Sequence, residues 1–329
     1  MLPKRMFEGF YGQPGTGKSE GAARVIEQDY KETGRTSRVV IGDGSMFTYQ
    51  HLIDAGVVSA MEFSNRPFPS SVIDQLSKGW WPADVSDPTS PMQPPTADLL
   101  KMGCYVFEGA SVAAAYIMSN VKGGLANRAG LGEKMGPEAP MRVVDADIDP
   151  KTGGIVPNSG PGLSFGGTGQ AHYMYTQAAL TTAIQNSRGC APRIIWTAHE
   201  RQNDPEKDAL NRETLAGPEI AGKALAGVIQ RIFQNTLHFQ SIPKRVKIDD
   251  VHTGKKVDDL DLEYRVYTRD HFSANGMVRF KACTRGVDAT FPQFFTNDIP
   301  GMAILDYYRA LDVLRVSKVD RINAKEQTA

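Results

Sequence analysis

The sequence predicts an α/β protein: a mainly parallel sheet flanked by helices, with antiparallel strands at its C-terminal edge. Three observations predict it. Residues 12–19 spell the glycine-rich octapeptide Gly-Gln-Pro-Gly-Thr-Gly-Lys-Ser, set between a strand-like run and a helix-like run. Segments of the two kinds then alternate as far as residue 240. Such alternation builds a parallel sheet with helical crossovers. Finally, Asn275-Gly276 separates two strand-like runs, 262–270 and 277–283, and is a strong hairpin signal.

The elements follow in order. Residues 5–11 form the first strand and 20–29 a helix that stops at Gly34 and Arg35. Strands are expected over 37–43 and 57–63, with a helix over 48–55 between them. The stretch 64–95 is dense in Pro, Ser and Asp, and reads as an excursion with one helix over 72–78. Apolar residues 104–107 lead to Glu108, and a helix follows over 112–121. The span 123–170 is rich in glycine, proline and charge, the mark of a functional or mobile insertion. A helix over 169–188, a buried strand over 193–200, a helix over 228–233 and a strand over 236–240 complete the core. A last amphipathic helix over 300–314 precedes a charged tail. The domain reading is a core over 1–245 with insertions at 64–95 and 123–170, a C-terminal unit over 246–315 packed on it, and a tail over 316–329.

The octapeptide carries the chemistry. Its glycines let the backbone turn so that N–H groups face phosphate oxygens, and the following helix presents its positive end. The predicted nucleotide-binding set is Gly12, Gln13, Pro14, Gly15, Thr16, Gly17, Lys18, Ser19 and Glu20. Lys18 would reach the β- and γ-phosphates, and the Ser19 hydroxyl would bind Mg²⁺. A nucleoside triphosphate with Mg²⁺ needs a second carboxylate at the end of a neighbouring apolar strand, and Glu108 fits that place. Hydrolysis also needs a group that positions water. Asp43, ending the second strand, is preferred over Glu62 in the third. Thr197, His199 and Glu200 leave the 193–200 strand at its carboxyl end, where ligands of open α/β sheets bind, so His199 is a candidate γ-phosphate sensor.

Other features point elsewhere. With 37 basic and 37 acidic residues in 329, no global field advertises a nucleic-acid or membrane partner. Three dispersed cysteines fit a reducing compartment, and neither a leader peptide nor a membrane-spanning run is expected. The expectation is a cytoplasmic protein. Asp145-x-Asp147-x-Asp149 lacks the glycine and glutamate of a calcium loop. Trp80-Trp81 reads as a buried anchor rather than a base-stacking platform, and Lys244-Arg245-x-Lys247 as a solvated strand face.

Taken together, Gly12 to Ser19, the Glu108 strand, Ala171-His172-Tyr173 with Gln177, the Trp196-Thr197-Ala198-His199-Glu200 strand and Gly217-Pro218 through Gly222-Lys223 form an ordered pattern. It resembles the phage-encoded, RecA-like P-loop ATPases called phage nucleotide-binding proteins, over residues 6 to 240. The resemblance implies a RecA-like P-loop NTPase core, ATP and Mg²⁺ as cofactors, and a homo-oligomer acting in phage DNA metabolism or particle assembly. Relatives in recombination by single-strand annealing make single-stranded DNA or other phage proteins the implied partners, in the host cytoplasm or the virion. It also implies a basic residue reaching a neighbour's site, with Lys223, then Arg231, as candidates. Glu108 departs from the usual aspartate, which keeps open a nucleotide-binding structural component with little turnover. A small-molecule kinase ranks last, because 123–170 offers only Arg128 and Arg142 for an arginine-bearing lid.

Overall fold

The computed structural model describes residues 2–66, 69–96, 99, 101–128, 170–201, 215–219, 232–249, 256–269, 271–273, 276–278 and 291–326. Its N-terminal half runs β1 (Met6–Gly12), α1 (Lys18–Thr33), β2 (Ser37–Ile41), α2 (Met46–Asp54), β3 (Val58–Glu62), α3 (Pro69–Ser77), β4 (Trp81–Pro82), β5 (Met92–Gln93), β6 (Cys104–Phe107) and α4 (Ala110–Arg128). Then come α5 (Gln170–Ser187), β7 (Arg193–His199), β8 (Leu215–Ala216), β9 (Asn235–Asp249), β10 (Lys256–Tyr267), β11 (His271–Ser273), β12 (Gly276–Val278), β13 (Phe294–Asn297) and α6 (Ala303–Glu326).

Eight strands form the main sheet in the order β13-β10-β9-β1-β7-β6-β2-β3. From β9 to β3 every pairing is parallel, and β10 and β13 add the antiparallel edge. Every residue of β1 is buried, as a strand covered on both faces requires. Its side chains alternate between two cores. Phe7 and Tyr11 face α3, α4 and α5, together with Tyr105, Phe107 and Trp196. Met6 and Phe10 face α1, α2 and α6, together with Ile26, Val39, Phe239 and Ile304. The Phe107 and Trp196 rings stack at 4.1 Å between centroids, tying β6 to β7. Burial of each such aromatic is worth about 2–3 kcal/mol.

The parallel layout brings the carboxyl ends of β1, β2, β6 and β7 to one side. Chain reversals there are set by glycine. Gly17, the residue before α1, has a φ of +84°, a region that disfavours any side chain. The C-terminal segment packs onto the same end: a Cβ on Gly301 would lie 2.4 Å from the Gly21 nitrogen.

Four expectations change. The 262–270 strand, observed as β10, pairs with β9 from Lys256↔Asp249 to Tyr267↔His238 and with β13, not with 277–283. The turn signal instead closes a small hairpin, Ser273↔Gly276, whose second strand pairs with β8. The 236–240 strand continues to Asp249, so β9 and β10 form a ribbon past the last β1 partner, Phe239. The helix expected over 112–121 runs through Gly123 and Gly124 to Arg128, the alanine-rich turns carrying it past both glycines. The last helix extends to Glu326, taking in residues assigned to the tail, with Arg309–Asp306 and Arg315–Asp312 pairs three residues apart on its surface.

Two other readings stand. Trp81 is a buried anchor whose Nε1 donates to Ser59 Oγ at 3.2 Å, under the Arg38 guanidinium. Lys244, Arg245 and Lys247 are exposed on β9. The helix expected over 228–233 and the Asp145, Asp147 and Asp149 run fall largely or wholly outside the described residues. Among the described residues, no helix is long and apolar enough to cross a membrane.

Candidate functional site

The 12–19 segment leaves β1 at its carboxyl end and wraps over the start of α1. Gly12 has no room for a side chain: a Cβ there would lie 2.1 Å from the Phe239 carbonyl oxygen of β9. Gly15, at φ +76°, takes a turn that only glycine adopts readily. Thr16 braces the loop by donating from Oγ1 to the Gln13 carbonyl at 2.8 Å. Gln13, Pro14 and Gly15 are exposed at the tip, while Lys18 is 7% exposed. Its ammonium donates to the Gly12 and Gln13 carbonyls, at 3.0 and 2.8 Å. Burial lowers the Lys18 pKa, and the carboxylates of Glu108, Asp43 and Glu200 act against that fall.

Glu108 is the centre of the arrangement. It follows β6 directly, is 1% exposed, and both of its oxygens are engaged. Oε2 accepts from Ser19 Oγ at 3.2 Å and from Thr197 Oγ1 at 2.6 Å. Oε1 accepts from the Tyr49 hydroxyl. The backbone N–H of Gly109 donates to Thr197 Oγ1 at 3.0 Å, which turns the threonine proton toward the carboxylate. Burial is the largest influence on Glu108 and raises its pKa to about 7, with Asp43 pushing the same way and the Thr197 and Tyr49 hydrogen bonds opposing. Tyr49, wholly buried beside this carboxylate, has its own pKa pushed well up by burial and by Glu108, so its hydroxyl remains a donor.

Asp43 sits just past β2, with its Oδ2 4.0 Å from His199 Nε2. The His199 backbone N–H donates to Ser111 Oγ at 3.1 Å. Glu62 is engaged locally by Ser64 and Asn65, at 2.8 Å each. The structure therefore gathers Lys18, Ser19, Glu108, Asp43, Thr197 and His199 at one end of the sheet. Glu20 lies in the first turn of α1, half-buried. Lys223 and Arg231 lie outside the described residues.

Two groups at this end escaped the sequence reading. Tyr49 is one; nothing in a short helix marks a tyrosine as the partner of a carboxylate 59 residues away. The other is a buried chain behind Glu200, whose N–H donates to the Gly12 carbonyl at 2.9 Å. Glu200 Oε2 lies 3.2 Å from His238 Nε2, and His238 Nδ1 lies 2.8 Å from His271 Nε2. With His271 Nδ1 donating to the Arg269 carbonyl, a neutral His271 accepts from His238. The chain links the 12–19 loop to the small sheet of β11, β12 and β8.

No family model and no curated protein matches the chain. Among solved structures, it is similar to the flagellar accessory protein FlaH from Methanocaldococcus jannaschii, with 8% identity over 90% of this chain and 85% of that one and a TM-score of 0.36. It is also similar to a KaiC-like protein from Pyrococcus horikoshii, with 10% identity over 84% and 90% of the two chains and a TM-score of 0.34. Likenesses this distant carry no residue roles. The strand order, with β7 between the loop strand β1 and the Glu108 strand β6, and the loop at the head of α1 define the class. The chain has an α/β fold: a mainly parallel sheet flanked by helices with an antiparallel C-terminal edge.

Proposed function

We propose that the chain is an ATP-binding P-loop ATPase of the phage type that hydrolyses ATP with Mg²⁺ in a homo-oligomer acting in DNA metabolism or particle assembly. The observation that carries the reading is the Ser19 hydroxyl 3.2 Å from a Glu108 oxygen, directly beside a glycine loop at a helix N-terminus. A hydroxyl and a carboxylate at that separation are the oxygen donors Mg²⁺ prefers, so this pair fits the ion. When bound, Mg²⁺ neutralises phosphate charge.

The chain's own groups take the remaining roles. The N–H groups of the loop and the positive end of α1 bind the phosphates. Lys18 exchanges the Gly12 and Gln13 carbonyls for phosphate oxygens, which are better partners for an ammonium. Thr197 holds Glu108 in place through the Gly109 relay. Asp43 orients the attacking water, and His199 beside it registers the γ-phosphate. A basic residue of a neighbouring copy, with Lys223 as the candidate, completes the site, and single-stranded DNA or another phage protein is the partner.

Steady-state ATP hydrolysis, alone and with single-stranded DNA, tests the reading beside Lys18→Ala. DNA-stimulated turnover in the unmodified protein and at least a ten-fold loss of ATP affinity in the variant are expected, the size of a lost charged hydrogen bond. Tight binding with no turnover in either condition would replace the ATPase with a nucleotide-stabilised structural component.

A further inference from the structure

We propose that Tyr49 is the positioning residue for Glu108, holding one carboxylate oxygen so that the other is presented to Ser19 and the cation. The inference rests on the reading that Ser19 and Glu108 share Mg²⁺. Glu108 has two oxygens with separate duties. Oε2 accepts from Ser19 and Thr197, whereas Oε1 accepts from the Tyr49 hydroxyl. A carboxylate at the end of a strand rotates about its last bond unless both oxygens are bound, and rotation would remove Oε2 from the Ser19 side. Thr197 alone anchors a single oxygen; Tyr49 supplies the second point. Its hydroxyl also lies 3.3 Å from the Ser19 carbonyl, so one phenol bridges the two elements that carry the proposed cation ligands.

Position in the fold gives this contact a second effect. Tyr49 belongs to α2, which starts at Met46, three residues after Asp43. The carboxylate that faces the cation and the loop that carries the proposed water-orienting carboxylate are thereby joined through one side chain. Tyr49 touches no phosphate in this scheme and acts only through Glu108.

Magnesium titrations of a fluorescent, non-hydrolysed ATP analogue on the unmodified protein, Tyr49→Phe and Glu108→Gln test it. Loss of a group supporting a metal ligand costs about ten-fold or more in metal affinity. Tyr49→Phe is therefore expected to raise half-saturating Mg²⁺ about ten-fold and to leave affinity in EDTA unchanged. An unchanged midpoint in Tyr49→Phe with a shifted one in Glu108→Gln overturns the tyrosine's role alone. Unchanged midpoints in both variants overturn the shared-cation reading and this inference with it. Should Tyr49→Phe fail to fold, the unmodified protein with ring-labelled tyrosine carries the test. A buried tyrosine C–O infrared band must shift when Mg²⁺ joins the nucleotide complex, and no shift overturns the proposal.

Discussion

At the scale of single residues, this site is governed by how one buried carboxylate is kept satisfied. Glu108 is desolvated, and Thr197, Tyr49 and Ser19 all donate to it. Thr197 has two duties, because its oxygen also accepts the Gly109 N–H. Thr197→Val keeps the shape but strands a buried N–H and strips a donor from Glu108. A loss of about 1–3 kcal/mol in urea denaturation is expected, and a smaller change would mean that water takes over both groups. Much of this was open to sequence reading. The octapeptide stands out through its glycine spacing, and Glu108 and Asp43 are singled out because each follows an apolar strand. Tyr49, His238 and His271 are not, since their partners are set by packing between elements far apart in the chain.

At the scale of elements, the join between β1 and α6 has a pH dependence. Glu8 on β1 is buried and accepts from the Tyr308 hydroxyl of α6 and from Asn235 of β9. Burial outweighs those hydrogen bonds and raises its pKa from 4.5 to about 7. A carboxyl with a raised folded-state pKa favours the fold while protonated. Its contribution is full below pH 4.5 and is lost as pH rises through about 7. Over that window the change is about 3 kcal/mol. Glu8→Gln, whose oxygen still accepts from Asn235 while its amide N–H donates to the Tyr308 oxygen, removes the charge; it should flatten this fall and raise the melting temperature at pH 8. An unchanged pH–stability profile would place the titration elsewhere. Element boundaries show where local signals fail. The Asn275-Gly276 signal did mark a turn, but β10 had a longer partner in β9, and twelve paired positions outweigh a local turn preference.

At the scale of the whole molecule, the sheet runs across the boundary read near residue 245. β9 passes through it without a break, pairing with β1 on one side and β10 on the other. From α6, Ile304, Tyr307 and Tyr308 complete the same core as Phe10 and Phe239. A chain ending at residue 245 should therefore show no cooperative thermal transition and be degraded by protease at once. A stable, protease-resistant fragment would establish the first 245 residues as a folding unit. The order of the sheet could not be read in advance, because parallel strands carry no local signal of their neighbours.

That order also sets a timetable for synthesis. β1 is translated before both of its neighbours, β7 and β9. Its Glu8 meets Asn235 across 227 residues. Strand pairing at such separation is slow, and it waits until both neighbours have emerged. The glycine loop at the end of β1 is thus translated well before the strands that hold it in place. A nascent chain can set this loop between its neighbours only after β7 and β9 have both emerged.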